Sequence, residues 1–147
     1  MPTRSSGFTL IELLVVVAVI GILSTIGLVQ YQGYVSGTKL KSAKNSMQQI
    51  LLAQTEELSN TGIYWTNAAD KDSCEPTVIT SKAIEDRLFG GADVITTDAG
   101  YDMCIYEDDD SAYSVVALSQ DTEVILTHNG IYSLFKKIDG TWTEIKK

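Results

Sequence analysis

Few side chains in this 147-residue sequence have the type and spacing for chemistry. A single histidine and two cysteines leave too few donors for a His/Cys zinc site, which takes three or four. His128 lies in the turn-forming triplet His128-Asn129-Gly130 with no obvious Cys, Asp or Ser partner. No phosphate-cradling glycine loop, nucleophile elbow or C-x-x-C occurs, so neither an enzyme nor a bound cofactor is expected. The run Glu107-Asp108-Asp109-Asp110 gathers oxygen donors of the kind calcium takes, yet its order fits no calcium loop. It reads as the solvated tip of a hairpin, with no metal expected. Lys136, Lys137, Lys146 and Lys147 surround Trp142, a combination that single-stranded nucleic acid can use. Lysines on a strand edge also discourage strand pairing, and that reading is preferred.

The charge balance supports this choice. Lys+Arg 11 against Asp+Glu 19 gives a net charge of −8, whose long-range field repels phosphate backbones, so nucleic acid is not an expected partner. No Lys or Arg occurs between Asp93 and Phe135, which predicts a strongly acidic face and salt-sensitive packing between copies. At 44% hydrophobic residues and only 2 Pro, the chain is too apolar for disorder and should fold, with room for one domain.

Glu12 is the one charge in an otherwise uncharged stretch, because residues 13–38 contain no Asp, Glu, Lys or Arg. Residues 8–29 as a helix would extend roughly 33 Å at the α-helical rise, close to the hydrocarbon thickness of a bilayer. A chain this small has no core able to surround such a segment, so a membrane span is predicted. Arg4 in the short leader favours retention of the N-terminus in the cytoplasm. The block is too long for an ordinary secretory signal, and any cut would precede it. A carboxylate inside a span costs about 2.5 to 3.5 kcal/mol at mid-bilayer and less near the interface, so Glu12 needs a reason to be there.

Gly7-Phe8-Thr9-Leu10-Ile11-Glu12 followed by LLVVVAVIGIL resembles the N-terminal motif of type IV pilins, the class III signal-peptide proteins. The resemblance implies cleavage between Gly7 and Phe8 by a prepilin peptidase and methylation of the new Phe8 amino group. It also implies that Glu12 of an incoming subunit pairs with the Phe8 ammonium of its neighbour and so sets axial register, an attraction strengthened in a low-dielectric bundle. Many members carry proline where this chain has Val29. Here Gly21, Gly27, Gly33 and Gly37 soften the helix instead, since glycine lowers helix stability by about 1 kcal/mol relative to alanine; gentle curvature is predicted.

Beyond the apolar block, Leu40, Ala43, Met47, Ile50, Leu51 and Leu58 recur at helical spacing and form one apolar stripe. A single helix over residues 8–58 is predicted, stopped by Ser59-Asn60-Thr61-Gly62. The stretch QQILLAQTEELSNTGIYW extends the pilin resemblance to about Trp65. Residues 67–100 read as a connection with one short helix at 81–89, N-capped by Ser81, its apolar face made of Ala83, Ile84, Leu88 and Phe89. Runs at 101–106, 112–118, 123–127, 131–135 and 141–145 are rich in Val, Ile, Tyr and Thr, with Asn129-Gly130 and Asp139-Gly140 as hairpin signals. Cys74 and Cys104 lie on the non-cytoplasmic side if the leader stays inside, so a disulfide closing a loop of about 30 residues is expected, worth roughly 3.6 kcal/mol in the chain-entropy model. The disulfide usual in the family lies nearer the C-terminus, so its adhesion loop is not carried over.

The expected fold is therefore α+β. A long N-terminal helix, membrane-spanning in its first half and amphipathic in its second, packs on a C-terminal antiparallel meander of four to five strands, the lollipop shape the resemblance implies. The expected divisions are a leader at 1–7, a membrane and filament-core helix at 8–37, and a head at 38–147. The head comprises the half-helix 38–59, the connection 60–100 and the meander 101–147.

The resemblance further implies a structural subunit of a filament serving adhesion, twitching motility or DNA uptake. It would be stored in the bacterial inner membrane with its head in the periplasm and assembled into an extracellular pilus. Its partners would be like subunits, the peptidase, an inner-membrane assembly platform driven by a separate ATPase, and membrane lipid. A minor pilin or secretion pseudopilin, and a membrane-anchored DNA-binding competence pilin, are the alternatives.

Overall fold

The computed structural model describes residues 7–95, 99–109 and 112–145. The chain divides into two compact units, Met1–Thr38 and Lys39–Lys147. One helix, α1 (Leu10–Thr61), begins in the first unit and ends in the second.

In the first unit α1 runs without interruption through Gly21, Gly27, Gly33 and Gly37, consistent with the absence of proline. Its hydroxyl groups fold back onto the helix. Ser24 Oγ donates to Ile20 O at 2.7 Å, Thr25 Oγ1 to Gly21 O at 3.0 Å, and Thr38 Oγ1 to Tyr34 O at 3.0 Å. Each of these hydroxyls is thus satisfied within the helix, as an apolar surrounding requires. Every large apolar side chain from Phe8 to Leu28 is exposed, the least exposed being Val16 at 47%.

In the second unit the stripe closes onto a sheet. Ala43, Met47 and Ile50 are buried, and Leu40 and Leu51 pack beside them. Polar residues occupy the same stripe: Ser46 donates to Val94 O at 2.9 Å, and Gln54, fully buried, exchanges hydrogen bonds with the backbone of Trp65. α1 extends three residues past the predicted end, and the Gly62 N–H caps it on Leu58 O at 2.8 Å.

The short helix α2 (Val78–Leu88) starts earlier than predicted. Its N-cap is Thr77, not Ser81: the Thr80 N–H donates to Thr77 Oγ1, and the Thr77 N–H to Thr80 Oγ1. Ser81 is instead buried inside the helix, where its hydroxyl donates to Thr77 O and accepts the Met103 N–H at 2.9 Å. Ile84 is buried, with Leu88 and Phe89 packed against the same core.

Five strands follow: β1 (Asp102–Tyr106), β2 (Ser114–Leu118), β3 (Thr122–Thr127), β4 (Tyr132–Ile138) and β5 (Thr141–Glu144). They form one antiparallel meander in the order β1-β2-β3-β4-β5. Asp139-Gly140 makes the two-residue turn expected of it, with Ile138 opposite Thr141 and both turn residues at positive φ. Asn129-Gly130 does not. The β3–β4 turn has three residues, 128–130, closed by the Thr127 N–H on Ile131 O, with Gly130 taking the left-handed position at its end.

The alternation of side chains gives the sheet two faces. Met103, Ile105, Val115, Ala117, Val124 and Leu126 meet the α1 stripe. Cys104, Tyr106, Val116 and Ile125 point the other way and are also buried, packed with Cys74, Ala68 and Phe135. The loop between α1 and α2 thus covers a face that the sequence reading leaves without a partner. Its tether is the disulfide Cys74–Cys104.

Candidate functional site

The candidate site at the start of the chain begins outside regular structure. Gly7 and Phe8 precede α1, Phe8 is 84% exposed, and nothing lies within 4 Å of where a side chain on Gly7 would be. A peptide bond in such a position is open to a protease, which needs uncovered, non-helical backbone. Arg4 lies outside the described residues.

Glu12 is the third residue of α1, and Thr9 is its N-cap. Glu12 Oε2 accepts the Thr9 N–H at 2.9 Å and the Thr9 hydroxyl at 2.6 Å, while the Glu12 N–H points to Thr9 Oγ1 at 3.3 Å. This is a capping box, and it was legible in Thr9-Leu10-Ile11-Glu12 from the S/T-x-x-E spacing alone. Its carboxylate also sits at the positive end of the helix dipole. The charge is therefore stabilised by its own chain before any neighbour arrives. Both Thr9 donors fall on Oε2, so Oε1 faces no hydrogen-bond donor among the described residues.

Behind this cap comes the apolar sheath. Among the described residues α1 is the one helix long and apolar enough to cross a membrane, and its apolar window is entirely unburied within the chain. No described residue of the first unit covers these side chains.

The head residues singled out by sequence fall in separate places. The disulfide closes between the covering loop and β1. Asp70 and Ser73 tighten that loop: Asp70 Oδ1 accepts the Ser73 N–H at 2.8 Å, which holds the Asp70 carboxyl below its usual range. Lys71 lies over the Phe135 ring and pairs with Glu123 at 3.7 Å, extending the cover across the sheet. Glu107, Asp108 and Asp109 occupy the turn after β1, and Asp110 lies outside the described residues. Asp108 accepts the Ser114 hydroxyl at 2.8 Å, and among the described residues no three His, Cys, Asp or Glu side chains are grouped to hold a metal. Lys136 and Lys137 end β4 in exposed positions, with Lys137 over the Trp142 ring at 5.9 Å; Lys146 and Lys147 lie outside the described residues. His128 stands beside Tyr113 and Tyr64, its ring 6.0 and 6.4 Å from theirs.

Three polar side chains that sequence reasoning missed do the structural joining. Gln54 fixes Trp65, Ser81 takes the Met103 N–H, and Asn67 Oδ1 takes the Ile105 N–H at 2.7 Å. The last two close the outer edge of β1, which would otherwise expose unpaired donors. Only Gln54 carried a signal, a polar residue in register with Ala43, Met47 and Ile50.

Comparison with known proteins points the same way. Residues 2–28 match the prokaryotic N-terminal methylation motif. The chain is 27% identical over 136 residues to a fimbrial protein of Pseudomonas aeruginosa, an alignment covering 92% of this chain and 82% of that one. It is 35% identical over 86 residues to the type IV major pilin protein PilE of Neisseria gonorrhoeae, covering 58% and 48%. With the type IV major fimbrial protein FimA of Dichelobacter nodosus the identity is 35% over 91 residues, covering 56% and 58%. In these last two pairs the chain spans about half the length of the relative. No solved structure gives a significant match. By motif and relatives together, the chain is similar to type IV pilins and fimbrial proteins.

Proposed function

We propose that the chain is a structural subunit of a type IV pilus, held in the inner membrane as a precursor, cut after Gly7, methylated on Phe8 and assembled into a filament through the first half of α1. The observation that carries this reading is the apolar surface of residues 8–28, which no other described part of the first unit covers. Lipid can cover it before assembly and the same helices of neighbouring copies afterwards. In the filament the free Oε1 of Glu12 accepts the Phe8 ammonium of a neighbour, while Oε2 keeps its cap. The role is architectural, with no reacting group required of the head. Prepilin peptidase, the assembly platform and like subunits are the partners of this cycle.

Mass spectrometry of the membrane-bound and surface-sheared protein tests it. The expected product begins at Phe8, lacks seven residues and carries one added methyl group, and a bulky residue in place of Gly7 leaves the precursor uncut. An intact leader in every fraction, with no filaments by electron microscopy, overturns the reading. A minor-subunit role is the second reading, favoured by 35% identity over 81 residues to a probable minor fimbrial protein of Dichelobacter nodosus. Low abundance in sheared filaments would select it.

A further inference from the structure

The last turn of α1, the loop after it and α2 surround a half-open concavity of about 250 Å³, lined by Glu57, Thr61, Ile63, Tyr64, Trp65 and Arg87. Nothing in the filament reading uses it. Its walls are held rigidly. The amide of the fully buried Gln54 grips the Trp65 backbone from both sides, accepting the Trp65 N–H at 3.0 Å and donating to Trp65 O. Tyr64 is backed by the buried Tyr113, with ring centroids 4.7 Å apart. Thr61 ties the loop by donating to Glu57 O and Ile63 O at 2.8 and 3.0 Å. The ring of Tyr64 and the backbone of Trp65 are thereby held beside a charged pair, Arg87 on Glu57.

The chemistry of the lining narrows the ligand. Arg87 and Glu57 neutralise each other, so the concavity attracts neither an anion nor a cation strongly. Glu57 is mostly shielded and Arg87 about half exposed, so donors of the guanidinium fork remain open to solvent. A ligand that fits has no net charge, one apolar face for the rings of Tyr64 and Trp65, and an edge of hydroxyls that donates to the carboxylate and accepts from the guanidinium. A pyranose ring has these three properties. The volume lies just below the usual range of roughly 300–1,000 Å³ for small-molecule sites, which suits one ring and excludes a buried oligosaccharide.

We infer that this concavity binds a single neutral sugar residue, stacked on Tyr64 and Trp65 and hydrogen-bonded by Glu57 and Arg87. The inference stands on the head alone and does not require the filament reading. A ligand of so few atoms in a half-open site binds weakly, with a dissociation constant on the order of 1 mM.

The test uses the full chain carrying Trp142→Phe, which leaves Trp65 as the sole tryptophan, in a detergent without a sugar headgroup. D-galactose, D-mannose and N-acetyl-D-glucosamine are each titrated to about 100 mM, two decades above the expected constant. At least one should change Trp65 emission saturably. Arg87→Lys keeps the charge and loses the fork, Glu57→Gln keeps the shape and loses the charge, and each should raise that constant at least tenfold with the melting temperature held. The Arg87→Lys result suffices if Glu57→Gln fails to fold. Absence of a saturable response to all three sugars overturns the proposal, as does an equal response in Arg87→Lys. Self-association of the head that disappears in Arg87→Lys, with no sugar response, overturns it in favour of a second copy as the occupant.

Discussion

Val16 and Ile50 are aliphatic residues on the same helix, yet Val16 is 47% exposed and Ile50 is wholly buried. The first half of α1 is apolar on every side and finds no cover in its own unit, whereas the second half is apolar along one stripe that the sheet of its unit closes over. The second half is therefore stabilised by intramolecular burial and the first only by what surrounds the chain. Hydrophobicity alone does not separate the two roles; its distribution around the helix does. Two chemistries of satisfaction follow the same division. In the first half hydroxyls bond back to their own helix, while in the second Ser46 and Gln54 reach across to other elements.

The contrast can be broken most sharply at Glu12. Glu12→Val should leave leader cleavage intact and lower filament yield at least tenfold, counted by electron microscopy, because Phe8 of the neighbour loses its acceptor and is left as an uncompensated charge. Thr9→Val removes the cap and keeps the carboxylate, so it should lower yield far less. Equal losses in the two variants would mean that capping, not register, is what assembly needs.

Next come matched deletions in the two halves, read by thermal unfolding in detergent micelles. Ile50→Ala should destabilise the head by about 2 to 5 kcal/mol, since it leaves a cavity against the sheet. Ile22→Ala should change head unfolding by less than about 0.5 kcal/mol, as surface changes do, because Ile22 is 65% exposed. Comparable effects would show that the two halves are not energetically distinct.

Cys74→Ser should lower head stability by about 3 kcal/mol, since the bond closes a loop with a sequence separation of 30 residues. The smallest effect is set by pH. Burial raises the Tyr113 hydroxyl to about 12, and Tyr106 and Tyr132 are raised in the same direction and for the same cause. A raised folded value means that this contribution is complete below pH 10 and lost as pH climbs toward 12, by at most about 2 to 3 kcal/mol for Tyr113. Alkaline unfolding followed by circular dichroism should show that loss, reduced in Tyr113→Phe.

The parts legible in the sequence share a physical property, a repeating local signal. The continuous helix, the stripe through Ala43, Met47 and Ile50, the five strands and the Asp139-Gly140 turn all announce themselves within a few residues. What escaped depends on partners distant in the chain. Ser81 has the residue type of an N-cap, but the Met103 N–H 22 residues away claims it, and Thr77 caps instead. Asn129-Gly130 has the dipeptide of a two-residue turn, but the Thr127 N–H bonds Ile131 O, which leaves three residues, 128–130, in the turn. The cover over the second sheet face was hidden because loop 68–74 is polar and gives no periodic sign of the apolar surface beneath it. The Thr9–Glu12 box is local and legible in the S/T-x-x-E spacing, and it gives the Glu12 carboxylate a partner within its own chain.

The sulfur–sulfur bond also makes the head a reporter of its own location. Ala68, Cys74 and Lys71 shield the back of the meander, and their strap, already hydrogen-bonded to Ile105 through Asn67 and Ala68, is locked covalently to β1 once both thiols have been oxidised. A head kept among reductants would hold this cover over Val116 and Ile125 by hydrogen bonds and the Lys71–Glu123 pair alone.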